Sequence, residues 1–192
     1  EFPLLPMSES TGPVHFVLIA RLAVEKGVFE FMEAARMLRA QGVEARFSIA
    51  GNIPTGTGID LARLEAWAQE PHQVWLGKVN NIPGLMATTD CVVLPSYREG
   101  TPRVLLEAAA MGRPVIAADS IGTREPVIAG KTGLLCQPRD VHDLMQVMAE
   151  MVQLGPTQRR DMGQAGRYLM EEKYDVRFVV DAYMQKVQAN LT

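Results

Sequence analysis

Cysteine is scarce: Cys91 and Cys136 are the only two in 192 residues. Both sit in apolar, strand-like runs, so buried reduced thiols are expected in preference to a disulfide. His15, His72 and His142 stand far apart, without the short spacings of a metal-ligating set. No Asp-x-Asp pair follows a strand, which argues against a divalent ion held by paired carboxylates. No metal and no other cofactor is expected. No apolar run approaches the roughly 20 residues of a membrane-spanning helix, and no secretory-signal pattern stands at the start. A cytoplasmic compartment is the expectation. Charge is nearly balanced, with a net of −3, so nothing draws the chain to nucleic acid in general.

What is present is the material of one ordinary globular core. Apolar residues make up 47% and charged residues 21%, which separates the chain from disordered and fibrous classes. The length suits one domain. The eleven methionines read as core filling.

Taken in order, residues 1–13 carry three prolines and no periodicity, and read as a lead-in or linker remnant. Residues 14–20 form an apolar run of strand length. Arg21 to Gly27 then turns the chain into a helix reaching about residue 40, with Val28, Phe31, Met32, Ala35 and Leu38 on one face. Gly42 ends it, and 45–50 is a second strand. Residues 51–58 (GNIPTGTG) are glycine-rich but lack the third glycine of a dinucleotide fingerprint, so a surface loop is expected. Asp60 suits the N-cap of a helix over 61–69. Strands are expected at 73–76 and 91–95, with a short helix over 82–88 between them. Beyond residue 114 the pattern predicts strands at 115–118 and 133–136 and a short helix over 123–129. Helices are expected over 141–154, capped by Asp140, from Pro156 to about residue 173, and over 176–190, capped by Asp175. Strands alternating with helices argue for an α/β fold: a Rossmann-like, doubly wound parallel sheet of about six strands, with helices on both faces and a helical tail.

The stretch 97–126 is the centre of the chain: YREGTPRVLLEAAAMGRPVIAADSIGTREP. It reads as a turn, a helix over 103–111, and a strand. Thr101 is the expected N-cap, and Pro102 suits the first turn, where no N–H is needed. Gly112 closes the helix and Pro114 stops it. A helix starting beyond the carboxyl end of a strand points its N–H groups into the crevice where phosphates bind. Two glutamates, Glu99 and Glu107, bracket this turn with seven residues between them. A carboxylate beside an anion-binding end makes sense when a hydroxyl-rich group lies next to the phosphate. Read from spacing alone, Glu99 equally serves the helix dipole and Glu107 equally serves as a solvated helix residue. Arg21 and Lys26 lie at a strand end and the following helix start, where they suit a diphosphate. Surface basicity explains them equally well without the wider pattern.

The string SYREGTPRVLLEAAAMGRPVIAAD resembles the signature of glycosyltransferase family 4, the group 1 glycosyltransferases of GT-B fold. The resemblance continues through GTREPVIAGKTGLLCQPRD and, upstream, ARLAVEKG, FSIAGN and VWLGKV, in the family's order over nearly the whole chain. It implies that Arg21 and Lys26 contact the diphosphate of a nucleotide-sugar donor. It implies that Glu99 contacts the donor sugar and Glu107 the ribose hydroxyls. Gly100, Thr101, Pro102, Arg103 and Val104 then surround sugar and phosphate, and Gly77, Lys78 and Val79 line the base pocket. Glu99, Arg21 and Lys26 are the expected catalytic residues.

The family has two such domains with the active site between them, and this chain resembles only the donor-binding one. The expectation is the donor half of a retaining transferase, with UDP-sugar as the first donor to test. A glycan or lipid-linked acceptor, as in cell-surface polysaccharide or lipopolysaccharide synthesis, and the N-terminal acceptor domain are the implied partners. That domain offers a peripheral position at the inner membrane face. Residues 14–174 are expected to form the donor domain and 175–192 a helix packing toward the other domain. Val179, Val180, Tyr183 and Val187 give that helix an apolar face, so weak self-association of the isolated chain is expected. A nucleotide-binding module without turnover and a nucleotide-sugar epimerase are the competing readings.

Overall fold

The structure is a computed structural model and describes residues 2–5, 7, 12–175, 177–178 and 184–187. Its centre is a six-stranded sheet of β1 (Val14–Ile19), β2 (Ala45–Ala50), β3 (Gln73–Trp75), β4 (Cys91–Leu94), β5 (Val115–Ala118) and β6 (Gly133–Cys136). The order across the sheet is β3-β2-β1-β4-β5-β6, and every neighbouring pair is parallel. The chain therefore grows outward from β1 in one direction, returns, and grows outward from β4 in the other. The reversal lies between β1 and β4. In doubly wound sheets the crevice beyond the strands' carboxyl ends at such a reversal is where ligands bind.

Burial on both faces explains why β4, β5 and β6 are wholly apolar and β1 and β2 largely so. One face carries Phe16, Leu18, Phe47, Ile49, Val93 and Ile116 beneath α1 (Val28–Ala40), α2 (Leu61–Ala68) and α5 (Val141–Gln153). The other carries Val17, Val92, Leu94 and Ala117 beneath α3 (Ile82–Ala87) and α4 (Arg103–Ala110). The predicted face of α1 is buried residue for residue: Val28, Phe31, Met32, Ala35 and Leu38. Phe31 stacks edge-on to Phe47, and Trp67 closes the cluster with its indole N–H on the Met32 carbonyl at 3.3 Å. The last long helix, α6 (Gly155–Lys173), packs mainly on α4, with Met162 reaching the core over the sheet. Close approach is possible because Gly163 lies against the turn after α4, where a Cβ would stand 2.0 Å from the Gly112 carbonyl oxygen.

Three local expectations change. The helix expected over 123–129 is a series of turns. The Thr123 hydroxyl bonds the carbonyls of Ala118 at 2.7 Å and Ser120 at 2.9 Å, offering the backbone a side-chain alternative to a helical turn. Pro126 also has no N–H to give a helix. The N-cap of α4 is Pro102, with extended dihedrals and no side-chain cap; Thr101 is exposed and does not fill that role. The lead-in is not loose throughout: Leu5 donates its N–H to the Met111 carbonyl at 3.3 Å, and Met7 is buried. Asp60 and Asp140 cap α2 and α5 as expected. For the tail helix, Val179, Val180 and Tyr183 lie outside the described residues; Val187 is exposed, as are Phe178 and Met184.

Candidate functional site

The two segments that leave β1 and β4 meet at the reversal point, because these strands are neighbours. After β1 the chain makes a short 3-10 turn, Val24–Lys26, and enters α1 through Gly27. Gly27 has a φ of +71°, and a Cβ there would lie 2.3 Å from the Pro95 carbonyl oxygen just beyond β4. Only glycine lets the two connections come this close. The Glu25 carbonyl accepts the Tyr97 N–H at 2.8 Å and the Ser96 hydroxyl at 3.0 Å. Tyr97 reaches further to Glu30 on α1 with its hydroxyl, at 2.5 Å. Burial first, then the bond to Glu30, pushes the Tyr97 phenol up to about 12, so it stays a donor at neutral pH. Arg139 stacks over its ring at 4.5 Å.

This stitching brings Lys26 and Glu99 together. Lys26 Nζ lies 2.5 Å from Glu99 Oε1, across 73 residues of sequence. Their side chains are 16% and 15% exposed, so the pair is mostly covered but open on one side. The Glu99 backbone is itself pinned. Its N–H donates to the Ile121 carbonyl at 3.0 Å, and Gly122 lies so close beneath that a Cβ would stand 1.9 Å from the Gly100 oxygen and 2.1 Å from the Glu99 oxygen. Gly122 has a φ of +88°. The inner end of this floor is a hydroxyl network: Ser120 Oγ donates to the Ser96 carbonyl at 2.9 Å and meets Thr123 Oγ1 at 2.6 Å.

The other expected residues distribute as follows. Glu107 is on α4 with a side chain 17% exposed, not the solvated helix position that spacing alone allowed. Its carboxylate accepts from Arg103 at 3.3 Å, whose own side chain is 86% exposed. Gly100 and Thr101 are exposed at the turn, Pro102 is buried and Val104 half-buried. Arg21 leaves the end of β1 but turns outward, 3.5 Å from Glu25 and 60% exposed. It is close to the Lys26–Glu99 pair in sequence without touching it. Gly77, Lys78 and Val79 follow β3, two strands away from β1. The Gly77 carbonyl accepts the Gly51 N–H at 2.7 Å, which ties the loop after β3 to the loop after β2.

Helix starts differ in a way that concerns this crevice. Side chains of Asp60, Asn81 and Asp140 accept N–H groups at the starts of α2, α3 and α5. The starts of α1 and α4, which flank the reversal, have no side-chain cap, a feature shared with α6. Free N–H groups and the positive end of the dipole there suit an anion. No cluster of three His, Cys, Asp or Glu side chains able to hold a metal ion occurs among the described residues. Sequence reasoning singled out neither the Tyr97–Glu30 tie nor the floor glycine Gly122. Each contact joins residues remote in sequence, and a glycine carries no side-chain signal.

Fold and site together define a class: a doubly wound α/β domain with its functional crevice outside the carboxyl ends of β1 and β4. Comparison with known proteins makes this specific. A sequence model of the family "Glycosyl transferases group 1" matches residues 8–168, and the chain belongs to that family. It is 31% identical over 188 residues to a glycogen synthase of Mycobacterium tuberculosis, covering 96% of this chain and 44% of that protein. It is 33% identical over 148 residues to the colanic acid biosynthesis glycosyltransferase WcaL of Salmonella typhimurium, covering 72% and 36%. The chain thus spans less than half the length of these relatives.

Among solved structures, Anabaena Alr3699/HepE in complex with UDP matches with a TM-score of 0.83 at 22% identity, over 93% of this chain and 49% of that one. The C-terminal domain of a glycosyl transferase group 1 family protein (LpcC) from Francisella tularensis matches with a TM-score of 0.74 at 22% identity, over 91% and 96%. The fold is that of one half of a GT-B enzyme. No helix among the described residues is long and apolar enough to cross a membrane.

Proposed function

We propose that this chain is the donor-binding half of a retaining glycosyltransferase that uses a nucleotide diphosphate sugar. The observation that carries the reading is the Lys26–Glu99 pair, held between the uncapped starts of α1 and α4 at the reversal of the sheet. Lys26 has three N–H donors and only one faces Glu99, so two remain for phosphate oxygens. The helix starts add backbone donors aimed at the same charge. Together they stabilise the negative charge that develops on the departing diphosphate. Arg21 swings in from its exposed pairing with Glu25 to complete this set.

Glu99 takes a hydroxyl of the donor sugar and Glu107 the ribose hydroxyls. Gly100, Thr101, Pro102, Arg103 and Val104 form the wall around sugar and phosphate, and Gly77, Lys78 and Val79 the base pocket. UDP is the first nucleotide to test, since Alr3699/HepE was crystallised with UDP, with UDP and glucose, and with UDP-glucose. No metal is assigned to the site, because the positive groups named above cover the diphosphate. The acceptor is a glycan or lipid-linked sugar, as the polysaccharide-synthesis names of relatives suggest. It binds a second domain across the cleft.

Calorimetry with UDP, GDP and ADP, each with and without EDTA, tests this. One of the three should bind, unaffected by EDTA. Absence of heat with all three, from chain shown to be folded, overturns the reading.

A further inference from the structure

The same pair carries a consequence for the product. We propose that Glu99 discriminates electrostatically against the free nucleoside diphosphate, so that the site releases its product more readily than its substrate. This rests on the donor-site reading above.

The chemistry sets a charge difference. In the donor, the terminal phosphate is esterified to the sugar and carries one negative charge. Transfer breaks the bond from the anomeric carbon to the phosphate oxygen, and the electron pair stays on that oxygen. A new bond forms from the acceptor hydroxyl oxygen to the sugar. The hydroxyl proton ends in solvent above about pH 6, the range of a second phosphate ionisation. The diphosphate therefore leaves with one more negative charge than the donor brought in, located on the oxygen that held the sugar.

The structure places a carboxylate directly beside the lysine proposed to hold that phosphate. Glu99 Oε1 is 2.5 Å from Lys26 Nζ, the proposed phosphate ligand, and both side chains are mostly covered. A carboxylate and a phosphate that share this one lysine are like charges brought close in a partly desolvated site, and such charges disfavour one another. The backbone that carries this carboxylate is fixed. It hangs from the Ile121 carbonyl and rests on Gly122, which leaves no room for even a Cβ. Lys26 is held from the other side by Gly27 against Pro95. While the sugar is attached, its hydroxyls face the carboxylate and donate to it. Once the sugar has gone, the carboxylate faces a phosphate dianion and shares one lysine with it.

The test is Glu99→Gln in the 192-residue chain, read by calorimetry at pH 7.5 with whichever of UDP, GDP and ADP the parent binds. The corresponding nucleoside and nucleotide-glucose are measured beside it. The variant should bind the nucleoside diphosphate about tenfold more tightly than the parent, as expected for relief of one charge repulsion worth a single decade. The nucleoside should bind as before, and the nucleotide sugar should gain nothing. Glu99→Asp keeps the charge and should keep the weak diphosphate binding.

A Glu99 that only held the sugar would leave diphosphate affinity untouched. Unchanged or weaker diphosphate binding by a folded Glu99→Gln, with the parent binding normally, overturns the proposal. A parent that binds none of the three diphosphates removes the donor-site reading first, and this inference with it.

Discussion

Replacing Lys26 by methionine keeps the stem and removes the charge, and the structure gives the size of two separate effects. The first is on folding. Exposed ion pairs contribute about 0–1 kcal/mol, while breaking a fully buried pair costs about 3–5 kcal/mol. Lys26 and Glu99 are 16% and 15% exposed, so they fall between, and Lys26→Met should destabilise by about 1–3 kcal/mol. The loss comes from a carboxylate left facing the crevice without its partner. Lys26→Met with Glu99→Gln should therefore be more stable than the sum of the single losses by about 1 kcal/mol.

The second effect is on binding. A charge-assisted hydrogen bond to phosphate contributes about 1.5–3 kcal/mol, or about ten- to a hundredfold in affinity. Lys26→Met should lose that much for UDP and far less for uridine, if uridine is the base accepted. Added salt should weaken UDP binding in the parent more than in the variant. Urea unfolding of the four proteins and calorimetry on the same samples give both numbers. If UDP and uridine affinities fall alike, Lys26 supports the fold and does not bind phosphate. If the double variant shows no recovery, the pair is not coupled and the argument from its geometry fails.

Glu107→Gln should weaken UDP about tenfold through the ribose, and a dideoxyribose analogue should bind parent and variant alike; a loss shared by both ligands removes the ribose assignment. His15 is buried, with its ring nitrogens 2.8 Å from the Thr88 carbonyl and the Ser48 hydroxyl. Burial first, then Arg46, holds its pKa below the usual 6.5 against the opposing effects of Thr88 and Asp90. The unfolded chain then binds more protons, so His15 lowers stability as pH falls through about 6.5 toward its folded value; this component should vanish in His15→Gln, as compared by urea midpoints from pH 7.5 to 4.5. Gly163→Ala should cost about 1–3 kcal/mol by overpacking α6 against the turn at Gly112, and a urea midpoint equal to the parent's would show that α6 moves aside freely.

Sequence alone carried the elements because their signals are local. A strand buried on both faces is largely apolar, as 115–118 and 133–136 are; 45–50 also stands at its predicted boundaries, although Arg46 in it is exposed and Ser48 is polar. The apolar face of α1 follows from a 3.6-residue period, and Asp60 and Asp140 from the need to satisfy free N–H groups. The glutamate spacing and the Arg21–Lys26 segment were legible as a family pattern. Local signals failed where tertiary contacts compete. Thr123 had ordinary helical surroundings, but its hydroxyl found the Ala118 and Ser120 carbonyls instead. Arg21 and Lys26 looked equivalent, yet only Lys26 lies against Glu99.

By itself, the sequence determined an α/β domain, most element boundaries and the residues eligible for a donor site. The tertiary structure decided which of them meet. Strand order made β1 and β4 neighbours, and no periodicity along the chain encodes that order. Two glycines then let backbones approach to distances that any Cβ forbids. The covered Lys26–Glu99 pair exists because those approaches are closed, and its charge arrangement is a property of the packing and of no single segment.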